Sequence, residues 1–195
     1  SVKKYLVTGG TGFIGRELVR RLLKQGKCVR VLDNDSRGAI ETLKDIQKDF
    51  EFIQGDIRNP ETVKKAVCGM EGVWHLAYIN GTEFFYTKPD LVLDVGIKGM
   101  VNIVDACLQE GVGELILASS SEVYQTPPAI PTDETVGFSI PDPLNPRYSY
   151  AAGKIVSEMM AINYGRKDFE RVMIFRPHNV YGPNMGWEHV IPQFC

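Results

Sequence analysis

The chain has 195 residues, enough for one sizeable domain with a core of its own. Hydrophobic residues make up 44% and charged residues 24% of the chain, which is typical of a globular protein. The net charge of −2 and the lack of a basic run argue against nucleic acid as the main partner. No apolar stretch is long enough to span a membrane and no signal peptide is visible, so we expect a cytoplasmic protein with no membrane partner.

The chain is predicted to begin with a strand, a glycine turn and a helix, in that order. Tyr5-Leu6-Val7 is short and apolar, as expected of a strand buried on both faces. Gly9, Gly12 and Gly15 follow at three-residue spacing. Such a turn lets backbone N–H groups approach a pyrophosphate at a helix N-terminus, although a βα turn that binds nothing has the same pattern.

The helix after this turn is amphipathic by its spacing. Its predicted core-facing residues are apolar and its predicted solvent-facing residues are charged. The first set is Ile14, Leu18, Val19, Leu22 and Leu23, and the second is Arg16, Glu17, Arg20 and Arg21.

Strands and helices alternate along the rest of the chain. Strands are predicted over 28–32, 51–54, 72–77, 114–118 and 172–175, and helices over 40–48, 60–67, 91–109 and 148–164. This order predicts an α/β fold, a Rossmann-type doubly wound parallel sheet with helices on both faces. The core candidates on the long helix are Val92, Val95, Val101, Val104 and Leu108.

A proline-rich segment interrupts the alternation. Residues 127–146 carry six of the eleven prolines, which predicts an irregular surface loop over about 126–147. The four cysteines are scattered without a Cys-x-x-Cys pair, so we expect reduced, mostly buried thiols. The three histidines are dispersed as well, and no metal site is predicted.

Two acidic residues follow strands where a dinucleotide would meet them. Asp33 comes roughly twenty residues after the glycines, where a carboxylate accepts hydrogen bonds from the adenosine ribose. A free 2′-hydroxyl suits this carboxylate, so NAD is favoured as cofactor, while Arg37 nearby leaves NADP open. Asp56 is placed to meet the adenine amine. Both residues have a structural alternative as polar groups at strand ends.

A tyrosine and a lysine form a second group, Tyr150 and Lys154. At positions i and i+4 of a helix, the two side chains share one face. A phenol is a poor base near pH 7, but a neighbouring ammonium stabilises the phenolate and lowers its pKa. The pair therefore predicts a general base beside a hydride acceptor, although most matches to this spacing are solvated helix pairs.

Three serines, 119–121, come directly after the strand 114–118. In an open parallel sheet, ligands bind beyond the carboxyl ends of the strands. A serine hydroxyl there would orient the reacting oxygen toward Tyr150. The alternative is a serine-rich loop that only satisfies backbone groups at the strand end.

The sequence resembles the extended short-chain dehydrogenase/reductase superfamily, in its NAD-dependent nucleotide-sugar epimerase/dehydratase branch. The matching stretches are 8–15 (TGGTGFIG), 55–57 (GDI), 75–77 (HLA), 119–124 (SSSEVY), Tyr150 with Lys154, and 176–183 (RPHNVYGP).

The resemblance implies a role for each matching residue. The catalytic residues would be Ser120, Tyr150 and Lys154, with Glu122 as a fourth candidate. The NAD-binding residues would be Gly9, Gly12, Phe13, Ile14, Gly15, Asp33, Asp56, Ile57, Leu76 and Ala77, together with Tyr150 and Lys154. The nucleoside-diphosphate sugar would contact Ser120, Ser121 and Asn179.

Three residues depart from the family pattern. Tyr78 stands where relatives often have a small residue, and we expect it to reshape the pocket. Gly96 replaces a common asparagine, with the loss of a structural or cofactor-side hydrogen bond. Gln125 replaces the usual glycine after Val-Tyr.

Relatives of this family continue well past the length of this chain. We therefore expect a fragment: a NAD-binding Rossmann domain over 1–195, in which about 176–195 begins a substrate-binding region that is largely absent. The resemblance also leaves a homodimer open, because relatives often pair through two helices of each subunit.

The expected reaction is oxidation of the sugar C4 hydroxyl to a 4-keto intermediate. Epimerisation is the leading outcome, a uronic-acid decarboxylation suggested by Ser121-Glu122 is the second, and 4,6-dehydration is the third. Ser121 stands where dehydratases of the family have an aspartic acid, which argues against dehydration. Glu122 is equally consistent with a structural loop carboxylate. A dinucleotide-binding protein without catalysis is the alternative from another class.

Overall fold

The computed structural model describes residues 1–37 and 39–182. Within them, six parallel strands form one sheet in the order β3-β2-β1-β4-β5-β6. The strands are β1 (Lys4–Thr8), β2 (Cys28–Asp33), β3 (Glu51–Gln54), β4 (Gly72–His75), β5 (Glu114–Ala118) and β6 (Arg171–Phe175). The order reverses between β1 and β4, which creates the crevice in which doubly wound folds bind ligands. The predicted fold class is confirmed.

Helices cover both faces of the sheet. They are α1 (Phe13–Lys24), α2 (Pro60–Val67), α3 (Thr82–Thr87), α4 (Pro89–Leu93), α5 (Gly99–Glu110) and α6 (Ser149–Asp168). A π-helical turn, Asp94–Lys98, joins α4 to α5 in the region where one long helix was predicted. Short 3-10 helices span Ile40–Ile46, Ser121–Tyr124 and Pro146–Tyr148. The helix α3 has no counterpart in the sequence prediction.

Strand β1 lies at the centre of two cores. Leu6 and Val7 are fully buried and belong to separate clusters, because successive side chains of a strand point to opposite faces. Leu6 packs in the cluster that includes α5 residues such as Ile103, and Val7 in the cluster of the α1 residues Val19 and Leu22. The prediction of a strand buried on both faces is confirmed.

Four predictions of burial were wrong on helices α1 and α5. Ile14 is exposed and Arg16 is buried, with its guanidinium 5.5 Å from the Phe13 ring centroid. Val101 and Leu108 are exposed because α5 faces the core through another side, which carries Met100, Ile103, Val104 and Cys107. The spacing of apolar residues predicts an amphipathic helix, but it does not decide which of several apolar faces packs against the core.

The thiols also differ from the prediction. Cys107 is buried, whereas Cys28 and Cys68 are exposed, and Cys195 lies outside the described residues. Cys28 opens β2 at the amino-terminal edge of the sheet, and Cys68 follows the last residue of α2. Both positions are ends of elements, where the core no longer covers the side chain.

The proline-rich loop is irregular, as predicted: the described chain has no helix or strand between Tyr124 and Pro146. Residues 176–182 are irregular too, and the remainder of the predicted substrate-binding region, 183–195, lies outside the described residues. No helix in the described part of the chain has the length and apolarity needed to cross a membrane.

Candidate active site

The predicted site residues converge because their strands end at one edge of the sheet. Thr8, at the end of β1, pairs in register with Leu32 of β2 and His75 of β4. Ala118 of β5 pairs with Phe175 of β6 at the same edge. The glycine turn, the loop after β4 and the serines after β5 therefore all leave the sheet at its carboxyl end.

The glycine turn has a shape that only glycine allows at two positions. Gly9 has a φ of +69°, and a Cβ there would lie 2.9 Å from the Ala77 backbone. A Cβ on Gly15 would lie 2.1 Å from the Gly9 carbonyl oxygen. No side chain caps the N-terminus of α1 at Gly12, and no acidic residue occupies its first turn. The turn therefore presents backbone and a helix N-terminus, a combination suited to a phosphate group.

The Asp33 side chain hydrogen-bonds the backbone of this turn. One carboxylate oxygen accepts from the Thr11 N–H at 3.0 Å, and the other accepts from the Asp35 N–H at 2.8 Å. A carboxylate has about four acceptor positions, so two bonds leave capacity for ribose hydroxyls. Arg37 donates to the Asn80 carbonyl oxygen at 2.8 Å, which ties this loop to the loop after β4.

Asp56 and Ile57 have structural partners of their own. Asp56 binds Arg58 at 2.7 Å, and the hydrogen bond to this guanidinium holds the pKa of Asp56 below its ordinary value. Arg58 also binds Asp94 at 2.9 Å, at the start of the π-helical turn. Ile57 is buried, and its carbonyl oxygen accepts from the Asn102 side chain at 2.9 Å. The adenine contact of both residues stays a prediction.

A buried hydroxyl organises the loop after β4. The Thr8 Oγ1 accepts from the N–H groups of Leu76 and Ala77, each at 3.1 Å, and lies 2.7 Å from His75 Nδ1. Burial lowers the pKa of His75 to about 3, and the nearby Lys154 charge makes a smaller contribution in the same direction. His75 is therefore neutral at physiological pH and holds the loop in place beside the glycine turn.

Ser120, Tyr150 and Lys154 come together as predicted. All three are buried, and Lys154 donates to the Ala118 carbonyl oxygen at 2.8 Å. Ser120 caps the 3-10 helix after β5, where its Oγ accepts from the Glu122 N–H at 3.2 Å, and it lies close enough to Tyr150 to influence the pKa of the phenol. The Lys154 Nζ lies 5.7 Å from the Tyr150 ring centroid.

The electrostatics of the pair differ from the sequence prediction. Burial raises the pKa of Tyr150 to about 12, against the lowering effect of the nearby Ser120 hydroxyl. Burial also lowers the pKa of Lys154 to about 7, while the nearby Glu158 raises it. Burial removes both side chains from water, which disfavours the phenolate of Tyr150 and the ammonium of Lys154. In the chain by itself, this cost of burial is larger than the attraction between the two charges. The expected lowering of the tyrosine pKa was therefore wrong for the chain by itself.

Two aromatic neighbours of Tyr150 were not recognised from the sequence. Phe85 of α3 stacks on the Tyr150 ring with centroids 4.8 Å apart, and Tyr78 meets it edge-on at 5.1 Å. The aromatic run Phe84-Phe85-Tyr86 was the available signal for Phe85. Because Gly9 abuts Ala77, the residue before Tyr78, the aromatic cluster lies next to the glycine turn.

The residues predicted to contact the substrate do not all line the same cleft. Ser121 and Glu122 line an open cleft of about 1170 Å³ together with Arg147 and His178. Glu122 lies 4.0 Å from Arg147. Asn179 is exposed and does not line this cleft, so its contact with a substrate stays a prediction.

The strand order and the glycine turn define a Rossmann-type fold of the dinucleotide-binding class. The chain belongs to the NAD dependent epimerase/dehydratase family, whose model matches residues 5–195. This confirms the resemblance to the extended short-chain dehydrogenases/reductases.

Known proteins similar to the chain come from several branches of this family. One is the UDP-glucose 4-epimerase of Mycolicibacterium smegmatis, 36% identical over 182 residues, which cover 91% of the chain and 56% of that protein. Another is a UDP-N-acetyl-alpha-D-glucosaminuronate decarboxylase of Bacillus cytotoxicus, 32% identical over 98% of the chain and 60% of that protein. The crystal structure of the Thermus thermophilus UDP-glucose 4-epimerase with NAD superposes with a TM-score of 0.83 at 32% identity, over 97% of the chain and 59% of that structure. The chain thus spans less than two thirds of the length of each.

Proposed function

We propose that the full-length protein is an NAD-dependent enzyme that modifies a nucleotide sugar through oxidation at C4, and that epimerisation is its reaction. The observation that carries this proposal is the buried group of Ser120, Tyr150 and Lys154 beside the glycine turn. The names of the relatives support the same chemistry.

The glycine turn fits a dinucleotide, because Gly9 and Gly15 allow a backbone packing too tight for a Cβ, and the N-terminus of α1 that this turn presents has no side-chain cap and no acidic residue in its first turn. NAD, when bound, supplies the hydride acceptor. Tyr150 would take the proton of the sugar hydroxyl through its phenolic oxygen, and Ser120 would orient the reacting oxygen. Lys154 would provide the positive charge that favours the phenolate. The stacked Phe85 would keep water from the ring face of Tyr150.

Asp33 is the residue that we expect to select NAD. Asp33→Asn should weaken NAD binding by about 10- to 100-fold, since hydrogen bonds to a charged acceptor contribute about 1.5–3 kcal/mol. NADP binding should weaken less, because the substitution also removes a charge that repels the 2′-phosphate. Calorimetric titration of both cofactors measures the ratio of affinities. Asp35→Asn is the matched control, because Asp35 also accepts from backbone N–H groups, those of Ala39 and Ile40.

The decarboxylase is the second candidate because of Glu122, which lies in the cleft beside Ser121. Full-length protein with NAD should be incubated separately with UDP-glucose, UDP-galactose and UDP-glucuronate, and the products separated by chromatography. Interconversion of the two hexoses supports the epimerase. Production of only carbon dioxide and a UDP-pentose contradicts the epimerase and establishes the decarboxylase.

A homodimer is part of the proposal. Helices α5 and α6 pack side by side and expose apolar side chains of Val101, Leu108, Val156, Met159 and Ile162. Met159→Lys should weaken self-association by at least about tenfold, since the interface would bury an unpaired charge. Sedimentation equilibrium measures this change, with Gln47→Lys, on a separate exposed surface, as the control. An unchanged association constant would place the interface elsewhere.

A further inference from the structure

Tyr78, which departs from the family pattern, is packed against the candidate catalytic pair. The Lys154 Nζ lies 3.9 Å from the centroid of the Tyr78 ring, directly in the range of a cation–π contact. The same ring meets Tyr150 edge-on, with an interplanar angle of 86°. Tyr78 therefore touches both members of the pair, although it lies in the loop after β4 and the pair lies on α6.

The hydroxyl of Tyr78 occupies a slot between two helical glycines. A Cβ on Gly96, in the π-helical turn, would lie 2.2 Å from this oxygen, and a Cβ on Gly153, in α6, would lie 1.8 Å from it. The space exists only because both residues lack a side chain. Tyr78 and Gly96, two separate departures in the sequence, are thus one packing unit that also includes Gly153.

We propose that Tyr78 is a positioning residue whose ring face holds the Lys154 ammonium beside Tyr150. The proposal rests on the function assigned above to Lys154. The hydroxyl is buried and has no hydrogen-bond partner within the described chain, so the ring rather than the oxygen acts on the lysine. The expectation that Tyr78 reshapes the pocket stays a prediction, separate from this contact with Lys154.

Among the described residues, few other groups affect the charge of Lys154. The Ala118 carbonyl oxygen accepts one of its N–H bonds, and Glu158, one turn further along α6, contributes a favourable negative charge. His75 of β4 is neutral at physiological pH, and Tyr150 is protonated in the chain alone. The electron-rich face of Tyr78 is therefore a main compensation for the burial of this ammonium.

Removal of the ring should lower the pKa of Lys154, because the charged form loses its attraction to the ring face. A desolvated cation–π contact corresponds to a fall of about one in the pKa. Tyr78→Leu should show this fall, and Tyr78→Phe, which keeps the ring, should not. The measurement is a ¹³C NMR titration of full-length protein labelled at lysine Cε, with the Lys154 resonance assigned through Lys154→Met.

The pH profile of turnover provides the second readout. The alkaline limb of kcat/KM should move to lower pH by about one in Tyr78→Leu and stay in place in Tyr78→Phe. Equal titration of Lys154 in wild type and Tyr78→Leu overturns the positioning role. Absence of turnover in the wild type contradicts the proposed function instead, and the NMR titration still decides the role of Tyr78.

The packing of the Tyr78 hydroxyl between Gly96 and Gly153 can be tested without an activity assay. Gly153→Ala should lower the Tm of the wild type, although alanine normally stabilises a helix relative to glycine. In the Tyr78→Phe background the same substitution should cause a clearly smaller loss of Tm, because the oxygen nearest the new methyl group is gone and the nearest ring carbon lies 3.1 Å from it. An equal loss of Tm in both backgrounds contradicts the packing unit.

Discussion

Tyr150→Phe is expected to lower turnover of the full-length protein by about 10²- to 10⁴-fold, the usual contribution of a general acid or base. The substitution removes the phenolic oxygen and keeps the ring, which is buried and stacked on Phe85 at 4.8 Å. NAD affinity should stay within about threefold, since the glycine turn and Asp33 are unaltered. Initial rates with the preferred nucleotide sugar and a fluorescence titration of the cofactor measure the two quantities.

Tyr164→Phe is the matched control for this substitution, because it removes a phenolic oxygen from the same helix at a distance from the site. It should retain wild-type turnover. If Tyr150→Phe also retained wild-type turnover, the phenol would not be the base. A wild-type protein that binds NAD and turns over no nucleotide sugar would instead favour the dinucleotide-binding alternative without catalysis.

The glycine turn and the Tyr150–Lys154 pair were predictable because their signals are local. A Cβ on Gly15 would clash with backbone a few residues away, and a Cβ on Gly9 would clash with backbone just after the neighbouring strand. A strand followed by such glycines and a helix is typical of a dinucleotide-binding turn. Tyr150 and Lys154 share a helix face whatever the rest of the fold does. The alternation of elements then predicts the parallel sheet that brings Ser120 to the same edge.

The neighbours of the pair were not predictable, because they depend on contacts between distant segments. Phe85 lies on a six-residue helix with no periodicity of its own, and it reaches Tyr150 across 65 positions of sequence. Tyr78 and Gly96 were visible as departures, yet only the packing of three segments shows that they fit each other. The pKa of Tyr150 follows from the same burial, which the sequence does not specify.

Arg176 connects the candidate site to the proline-rich loop. Its guanidinium makes two bonds to the Glu158 carboxylate, at 2.9 and 2.8 Å, and donates to the Tyr124 hydroxyl at 2.9 Å. The Phe138 ring of the loop lies 4.9 Å from the guanidinium. The Glu158 side chain is 0% exposed and that of Arg176 is 14% exposed, so the pair is removed from water.

Arg176→Leu is expected to lower the free energy of unfolding by about 3–5 kcal/mol, because it leaves the buried Glu158 charge without its partner. Urea unfolding followed by circular dichroism measures this loss. The double variant Glu158→Leu/Arg176→Leu should lose less than the single variant, since two apolar residues remove the unpaired charge. The loop should also become more sensitive to protease in Arg176→Leu, because the contact with Phe138 is lost.

Arg20→Leu is the control that separates burial from charge pairing. Arg20 binds Asp45 through two bonds of 2.7 Å, a geometry comparable with that of Arg176 and Glu158, but the Asp45 side chain is 64% exposed. An exposed pair contributes only about 0.2–1 kcal/mol, since water solvates the remaining charge. If both arginine variants lost the same free energy, burial of Glu158 would have no bearing on stability. A large loss in Arg176→Leu alone, together with faster proteolysis of the loop, would identify this ion pair as the anchor of the loop.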